Sequence, residues 1–327
     1  LLLRGALKIV RNRLERATCQ LQTRLSSAAN WSQLSSPLNP LKPTGRNKPM
    51  AENAESNTTF APDGRPLVAR TSPLEDRWGR LSIVFGQAGV ELLAGKKVLL
   101  FGLGGVGSNC LEPLARGGIG SFVLVDCDVV QPSNVNRQAV AWESTIGRRK
   151  TDVAREMVRA INPEAQVEIV DEFVLTENLP AFLDAHGDVD FVIDAIDTVS
   201  AKIALAKLCE DRGLPLVCSS GAADRFFPER LSFANIYDTH DCGLCRILRK
   251  EARKRGIKRW TILYSDEPSA RELLGTPRLP EPEQVPGERR QKLPLGTTSW
   301  MPPIMGQMIA GYVICSLMGL ENGGRSL

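Results

Sequence analysis

Short apolar runs alternate with amphipathic stretches through the middle of the chain. Residues 97–103 form a run rich in strand-forming side chains that ends in glycines. Similar runs occupy residues 121–126, 166–171, 190–194 and 215–218. Stretches with helical spacing of apolar residues separate them, at residues 108–116, 148–161 and 202–212. This alternation predicts an α/β fold with a doubly wound, mostly parallel sheet and helices on both faces.

The pattern changes after residue 221. Residues 230–236 and 260–264 predict two more strands, on either side of a basic helix over residues 242–256. Residues 266–294 contain six prolines and predict a mobile loop without regular structure. The apolar stretch at residues 300–320 approaches the length of a membrane span, but its prolines and glycines favour a buried or interface helix. We expect no membrane span.

The first part of the chain differs in composition from the rest. Nine basic residues and a single acidic one, Glu15, fall within residues 1–50. The Arg-rich, Ser-containing composition of residues 1–35 is typical of a mitochondrial transit peptide, whereas a mis-assigned start with translation from Met50 is the alternative that we prefer. We predict a disordered or mis-assigned tail over residues 1–72, one folded domain over residues 73–322 and a short tail over residues 323–327.

Composition narrows the class of protein. Hydrophobic residues make up 43% and charged residues 24% of the chain, which excludes a chain disordered throughout, a collagen and a membrane bundle. Aromatic residues make up only 6%, which argues against an RNA-binding module built on aromatic stacking. Two histidines leave little room for His-based metal sites, and eight cysteines are too sparse for a disulfide scaffold. The cysteine content favours a reducing, cytoplasmic compartment.

A glycine-rich turn joins the first predicted strand to the helix that follows. Its glycines are Gly102, Gly104, Gly105 and Gly107. Glycines let backbone amides approach a phosphate, and the amino end of a helix favours its negative charge. Asp126 ends the second strand, 19 residues after Gly107, where a carboxylate accepts hydrogen bonds from ribose hydroxyls. The turn predicts a nucleotide site, although its glycines alone do not separate ATP from NAD.

Polar residues crowd the segment after the second strand and favour ATP over NAD. The candidate ligands there are Asp128, Asn134, Asn136, Arg137 and Gln138. Arg137 and Lys150 supply cations that a triphosphate site needs and that hydride transfer does not. Asp194 and Asp197 close the fourth strand, where carboxylates can hold Mg²⁺, although Asp197 could instead cap the next helix.

Together these spaced residues resemble the ThiF/MoeB superfamily, the adenylating fold shared with ubiquitin-activating enzymes, over residues 75–320. The resemblance implies ATP and Mg²⁺ at the strand ends and a carboxylate that attacks the α-phosphate, giving an acyl-adenylate and pyrophosphate. It implies a ribose ligand at Asp126, phosphate ligands at Asn136, Arg137 and Lys150, and a metal or reaction-centre carboxylate at Asp197. Arg77 matches a family arginine that reaches the phosphates of the partner subunit, which implies a homodimer.

A Cys-x-x-Cys pair bears on which branch of this superfamily the chain resembles. Sulfur-carrier activators usually hold zinc with two such pairs, but this chain has one, Cys242 and Cys245. His240 and a distant cysteine could complete a zinc site, and two cysteines at the start of a helix is the alternative that we favour. Whether the pair binds metal or does redox chemistry stays open.

Other segments resemble the tRNA threonylcarbamoyladenosine dehydratase branch. They are residues 192–202, 220–223, 263–268 and the run Leu-Gly-Thr-Thr-Ser-Trp-Met-Pro-Pro before the last helix. This branch activates the carboxylate of a modified adenosine beside the tRNA anticodon, and a ring then closes internally with loss of AMP. Because the substrate carries its own nucleophile, no protein cysteine need attack the adenylate, and we expect none here; Cys242 would be the first candidate.

A basic helix gives physical support to a tRNA substrate. Eight basic residues crowd the 14 positions from 246 to 259, opposed only by Glu251, in a domain that is otherwise mildly acidic. The candidate tRNA contacts are Arg246, Arg249, Lys250, Arg253 and Lys254. A solvated basic face without a partner is the alternative.

The residues and the resemblance together predict an ATP-dependent tRNA threonylcarbamoyladenosine dehydratase that acts with Mg²⁺ as a cytoplasmic homodimer. Adenylation of a ubiquitin-like sulfur carrier, a non-catalytic nucleotide-binding scaffold and NAD-dependent oxidoreduction are the alternatives, in that order. A sulfurtransferase or sulfur-acceptor system is a further candidate partner.

Overall fold

The computed structural model describes residues 59–60, 66–67, 76–173, 176–275 and 295–320. The chain divides into two units, Leu1–Val68 and Ala69–Leu327. In the first unit, Thr59–Phe60 pairs antiparallel with Pro66–Leu67. Apart from these four residues, our predictions for the tail over residues 1–72 fall outside the described residues, as do those for residues 276–294 and 323–327.

Seven strands of the described residues form one sheet in the second unit. In chain order they are β1 (Lys97–Phe101), β2 (Ser121–Val125), β3 (Gln166–Val170), β4 (Phe191–Asp194), β5 (Leu216–Ser219), β6 (Leu231–Asn235) and β7 (Thr261–Ser265). The spatial order is β3-β2-β1-β4-β5-β7-β6, and β6 alone of these seven runs antiparallel to its neighbour. The predicted mostly parallel sheet is confirmed, and each strand lies within two residues of its predicted bounds.

Eight helices of the described residues accompany the sheet. They are α1 (Gly79–Ala94), α2 (Gly105–Arg116), α3 (Lys150–Ile161), α4 (Leu179–His186), α5 (Val199–Arg212), α6 (Gly243–Arg255), α7 (Ala270–Leu274) and α8 (Met301–Leu317). The sequence pattern did not predict α1, α4 and α7. In α1, the helix is kinked at Gly86, where φ is 71°, and Ile83 and Val84 are exposed, so its apolar residues do not line one face.

The prediction that residues 266–294 form no regular structure is wrong for the first part of that segment. Residues 270–274 form α7, and the Ser269 hydroxyl caps it by accepting from the Glu272 N–H at 3.3 Å. The nearest prolines, Pro268 and Pro277, lie just before and just after this turn of helix, so neither one interrupts it.

Alternate residues of the strands pack against different helices. Val98 and Leu100 of β1 belong to a core with α2, α3 and α8, whereas Leu99 and Phe101 belong to a core with α4 and α5. Each strand side chain points to the face opposite that of its neighbour, so these runs are apolar throughout because both faces are covered. A third cluster joins α5 and α6 to the strands at the β6 side of the sheet.

The final helix is a core element. Ile309 and Val313 of α8 are fully buried, and the helix runs against α2 at Gly306, where an added Cβ would lie 2.5 Å from the Val106 carbonyl oxygen. The prediction of a buried helix is therefore confirmed. No helix in the described part of the chain is long and apolar enough to cross a membrane.

Candidate active site

The carboxyl ends of β1 and β4 lie side by side, and the chain leaves them in opposite directions. The helix after β1 is α2, in the core on one face, and the helix after β4 is α5, in the core on the other. Loops that diverge in this way open a crevice at the sheet edge, which is where doubly wound folds bind ligands. Most of the residues predicted for nucleotide binding lie around this crevice.

The glycine turn between β1 and α2 is shaped by close backbone contacts. Gly102 has φ 87°, and an added Cβ at Gly107 would lie 1.8 Å from the Gly102 carbonyl oxygen. Gly104 is the N-cap residue of α2, and no side chain caps the helix there. The amino end of α2 thus presents backbone N–H groups and the positive end of the helix dipole, the arrangement that binds phosphate.

Asp126 links the end of β2 to the glycine turn. One carboxylate oxygen accepts from the Leu103 N–H at 2.6 Å, and the other accepts from the Asp128 N–H at 2.8 Å. Burial raises the pKa of Asp126, and the charge of Lys150 acts against that rise. Since a carboxylate offers about four acceptor positions, about two remain for ribose hydroxyls.

Lys150 lies beside Asp126 and Asp128, although it is 22 residues further along the chain than Asp128. Its ammonium is buried, 2.7 Å from Asp128 Oδ2 and 3.8 Å from Asp126 Oδ1. The first residue of α3 is Lys150, so the start of this helix fixes its position. The structure brings these three predicted residues into one charged cluster.

Some polar side chains of the segment after β2 hold the loop together, and others have hydrogen-bonding groups left for a ligand. The Asn134 side chain accepts from the Gln131 N–H at 3.0 Å and thus holds a turn, which accounts for this residue without a ligand. Asn136 donates to the Thr297 carbonyl at 3.1 Å and accepts from Arg137 at 2.7 Å. Gln138 is buried, and its Oε1 atom has no hydrogen-bond partner among the described residues.

Arg137 lies next to the glycine turn. Arg137 is half-buried, and its guanidinium also donates to the Ser133 carbonyl at 2.9 Å. An added Cβ at Gly105 would lie 3.5 Å from Arg137 Cδ, so the arginine is beside the first turn of α2. This position gives a cation to the same phosphates that the helix dipole would attract.

The prediction that both Asp194 and Asp197 can hold a cation is wrong for Asp194. The Asp194 carboxylate is fully buried, and its Oδ1 atom accepts from Lys202 Nζ at 2.9 Å and from the Ile196 N–H at 3.0 Å. Burial acts to lower the pKa of Lys202, but the charges of Asp194 and Cys218 and their hydrogen bonds together raise it. The Oδ2 atom is buried and has no hydrogen-bond partner among the described residues, so Asp194 is enclosed in the core and its charge is compensated by Lys202.

Lys202 is the residue of this edge that sequence reasoning missed. The signal was present, since a lysine eight residues after Asp194 lies within a stretch with helical spacing of apolar residues. Such a lysine on a buried face needs a counter-charge.

Asp197, in contrast, is exposed and accepts only from its neighbour, Thr198 Oγ1, at 3.3 Å among the hydrogen bonds of the described residues. Thr198 is the N-cap residue of α5, so Asp197 is not that cap. No group of three or more His, Cys, Asp or Glu residues in the described ranges is arranged to hold a metal. A cation at this edge would have to draw most of its ligands from elsewhere.

Arg77 is not brought to the crevice of its own chain. Its guanidinium donates to the Ile161 carbonyl at 3.3 Å and lies 5.9 Å from the centre of the Trp78 ring. Ile161 ends α3, just before β3 begins, so Arg77 lies toward the amino ends of the strands. The glycine turn is at the other end.

The predicted basic helix is α6. Cys245, Leu248 and Ala252 are buried, while most of its basic side chains are exposed. Arg249 departs from the expected tRNA contacts, because its guanidinium is only partly exposed and donates to the Thr239 carbonyl and to the Thr239 hydroxyl at 2.9 Å. Of the other basic residues there, Lys254 pairs with Glu251 at 2.9 Å, and Arg253 lies 5.5 Å from the centre of the Tyr237 ring.

The Cys-x-x-Cys pair is at the start of α6, as predicted. Cys242 is the N-cap residue and Cys245 is in the first turn, and both side chains are buried. A hydrogen bond from the Cys245 thiol, together with the charge of Arg225, lowers the pKa of Cys242 to about 6 against the effect of burial. The positive charge that acts on Cys242 comes from Arg225, outside α6.

Alkylation of Cys242 is expected to reach half its maximal rate near pH 6, because the thiolate is the nucleophile. Iodoacetamide labelling of the native protein, followed residue by residue by mass spectrometry, measures this. Cys127 is an internal control, since burial raises its pKa and its labelling should still increase above pH 8.5. Cys245→Ala should move the Cys242 midpoint upward. A Cys242 rate that climbs steeply between pH 7 and 9 in the unaltered protein would contradict the expectation.

The fold and the crevice correspond to a known class of protein. Residues 79–324 match the model of the ThiF family, and the chain belongs to that family. It is 36% identical over 243 residues to tRNA threonylcarbamoyladenosine dehydratase from Bacillus subtilis, an alignment that covers 74% of this chain and 94% of that protein.

Two further proteins are similar to this chain. The crystal structure of Escherichia coli tRNA N6-threonylcarbamoyladenosine dehydratase in complex with ATP superimposes with a TM-score of 0.64 at 27% identity, covering 77% of this chain and 98% of that one. Escherichia coli molybdopterin-synthase adenylyltransferase is 36% identical over 137 residues, 42% of this chain and 53% of that protein.

Proposed function

We propose that this chain is an ATP-dependent tRNA threonylcarbamoyladenosine dehydratase. The observation that carries the proposal is the match to the Bacillus subtilis dehydratase over 94% of its length, on a chain whose crevice gathers the glycine turn, Asp126, Arg137 and Lys150. The match to the molybdopterin-synthase adenylyltransferase reaches only about half of that protein, and it supports adenylation chemistry more than a sulfur-carrier substrate.

The proposed reaction has two steps. A carboxylate oxygen of the modified nucleoside attacks the α-phosphorus of ATP, the bond to the β-phosphate oxygen breaks, and pyrophosphate leaves. A nucleophile within the same nucleoside then attacks the acyl carbon, AMP leaves and a ring closes, with net loss of one water. The protein supplies orientation and charge to both steps rather than a nucleophile of its own.

The proposed roles of the side chains follow from their positions. The amino end of α2 and Arg137 bind the phosphates, Asp126 binds the ribose, and Lys150 adds positive charge beside them. Gln138 Oε1 is a buried acceptor that a bound ligand could satisfy. Asn134 is left out, because its side chain holds a turn.

Mg²⁺ is proposed as well, with Asp197 as its ligand from the protein. Mg²⁺ is usually bound by one or two carboxylates together with substrate phosphates and water, which fits the exposed carboxylate of Asp197 after β4. Bound there, the ion would neutralise charge on the phosphates.

A homodimer is proposed on the position of Arg77. This side chain lies toward the amino ends of the strands and does not face the crevice of its own chain. If it contacts phosphates, as the family resemblance implies, they belong to a second copy. A cytoplasmic location and a sulfurtransferase partner stay predictions.

The proposal is tested with purified protein, ATP and tRNA that carries threonylcarbamoyladenosine. AMP and pyrophosphate should form in step with a modified nucleoside that is lighter by one water. Unmodified tRNA is the matched control and should give no AMP. Formation of pyrophosphate with a ubiquitin-like carrier but not with the modified tRNA would favour the sulfur-carrier alternative, and no turnover with any substrate would favour the scaffold.

The exposed basic side chains of α6 are expected to contact tRNA phosphates. Arg246→Ala with Lys250→Ala should lower the log–log slope of affinity against salt by about two, at about one unit per lost contact, because each contact releases counterions. Filter binding across a salt series measures the slope. Arg116→Ala, at an exposed arginine at the far end of α2, is the matched control. Equal slopes in all three proteins would make α6 a solvated face.

A further inference from the structure

Three aromatic side chains that the proposed nucleotide site does not use lie together at the carboxyl edge of the sheet. We name Phe226, Phe227 and Trp300 the aromatic shelf. The Phe226 ring centre is 6.4 Å from that of Phe227 and 6.5 Å from that of Trp300. Phe227 is 40% exposed and Trp300 is 45% exposed, so the shelf presents two large apolar faces outward.

The aromatic shelf is held in place by polar groups beneath it. The Trp300 indole donates to the Phe226 carbonyl at 3.0 Å. The carboxylate of Glu267 is fully buried, and it accepts from the N–H groups of Phe226 at 2.8 Å and Phe227 at 3.2 Å and from the Ser265 hydroxyl at 2.9 Å. Burying a carboxylate is costly unless it is well bonded, so this one fixes the loop firmly. Rings fixed in advance lose little entropy when they bind a partner.

One side of the aromatic shelf adjoins the nucleotide site. Trp300 comes directly before α8, and Pro302 in the first turn of α8 packs on the glycine turn, where an added Cβ at Gly105 would lie 2.8 Å from Pro302 Cβ. The segment that leads to Trp300 is also tied to the site, because the Thr297 carbonyl accepts from Asn136. The shelf is therefore within a few residues of the proposed phosphate ligands.

The other side of the aromatic shelf adjoins the basic helix. Arg225 directly precedes the shelf, and its charge lowers the pKa of Cys242, the N-cap residue of α6. The shelf is thus next in sequence to an arginine that lies close enough to the start of α6 to act on Cys242.

We propose that Phe227 and Trp300 stack against the modified adenine base of the tRNA substrate and so set where its carboxylate arrives. This inference rests on the proposed function. Attack on the α-phosphate fixes the carboxylate at the amino end of α2, and the short link between carboxylate and base keeps the base nearby. Loop bases of RNA are commonly unstacked and bound on aromatic rings. The low aromatic content of the chain argues against a repeated stacking module but leaves room for one such site.

The test compares tRNA binding with ATP binding in variants of the aromatic shelf. Stacking on an aromatic ring contributes about 1–3 kcal/mol, so Trp300→Ala and Phe227→Ala should each weaken binding of modified tRNA by about 5- to 150-fold. Trp300→Phe should keep most of the affinity, and ATP affinity should stay within about twofold in every variant. Phe227→Ala guards against misfolding, since the hydrogen bonds at Phe227 come from its backbone. Trp142→Ala, at an exposed tryptophan outside the shelf, is the matched control.

The outcomes separate the inference from the proposed function. Tryptophan emission should be quenched by modified tRNA, and Trp300→Phe should abolish most of that quenching. Equal tRNA affinities in all variants would overturn the inference, and so would a loss of ATP affinity in the shelf variants, because the shelf would then serve the adenine of ATP. If the unaltered protein binds modified tRNA through the shelf but forms no AMP, the proposed function fails while the binding site stands.

Discussion

Asp197→Ala is expected to lower the rate of adenylate formation by about 10²- to 10³-fold while leaving the free energy of unfolding within about 0.5 kcal/mol. The carboxylate is exposed and accepts only from its neighbour Thr198 among the described hydrogen bonds, so the fold loses almost nothing. The proposed Mg²⁺–triphosphate complex loses its ligand from the protein, which is where the large effect arises.

Two measurements on the same preparation check this expectation. Pyrophosphate release with modified tRNA gives the rate, and urea unfolding gives the stability. Asp211→Ala removes an exposed carboxylate at the far end of α5 and should change neither the rate nor the stability appreciably. Near-normal pyrophosphate release by Asp197→Ala would remove this residue from the site.

Lys202→Met is expected to lower the free energy of unfolding by about 3–5 kcal/mol, whereas Asp197→Ala is expected to leave it nearly unchanged. Lys202 and Asp194 are both almost fully buried and 2.9 Å apart, so removal of the ammonium leaves a carboxylate in the core without a counter-charge. Urea unfolding at neutral pH measures the loss.

The double variant Asp194→Asn with Lys202→Met separates charge from packing. Because it removes both charges and keeps similar volumes, it should recover most of the stability that Lys202→Met loses. A double variant as unstable as the single one would mean that shape, not charge compensation, makes Lys202 necessary.

The strands could be predicted from the sequence because a parallel sheet covered on both faces needs unbroken apolar runs, as in Leu99 and Leu100 of β1. The helices α1, α4 and α7 could not, for local reasons. Gly86 kinks α1, α4 has only eight residues, and α7 is a single capped turn between two prolines. Short or bent helices carry too few turns for their periodicity to be seen.

The parts of the candidate site that lie close together in sequence could be predicted. The parts that depend on contacts between residues far apart in sequence could not. The glycine turn and Asp126 are close in sequence to the strand ends that position them. Sequence alone does not pair Asp194 with Lys202, turn Asn134 inward, or join the Phe226 loop to Trp300, which is 74 residues away. Such partners are chosen by packing, and packing is known only once the elements are assembled.

The contact between α8 and α2 has a consequence for the order of events during synthesis. The glycine turn is made early, but Pro302 and Gly306, which pack on its helix, are made about 200 residues later. A growing chain lacks this cover until α8 has emerged from the ribosome. A truncated product that ends before α8 is therefore expected to lack the packing that supports the amino end of α2.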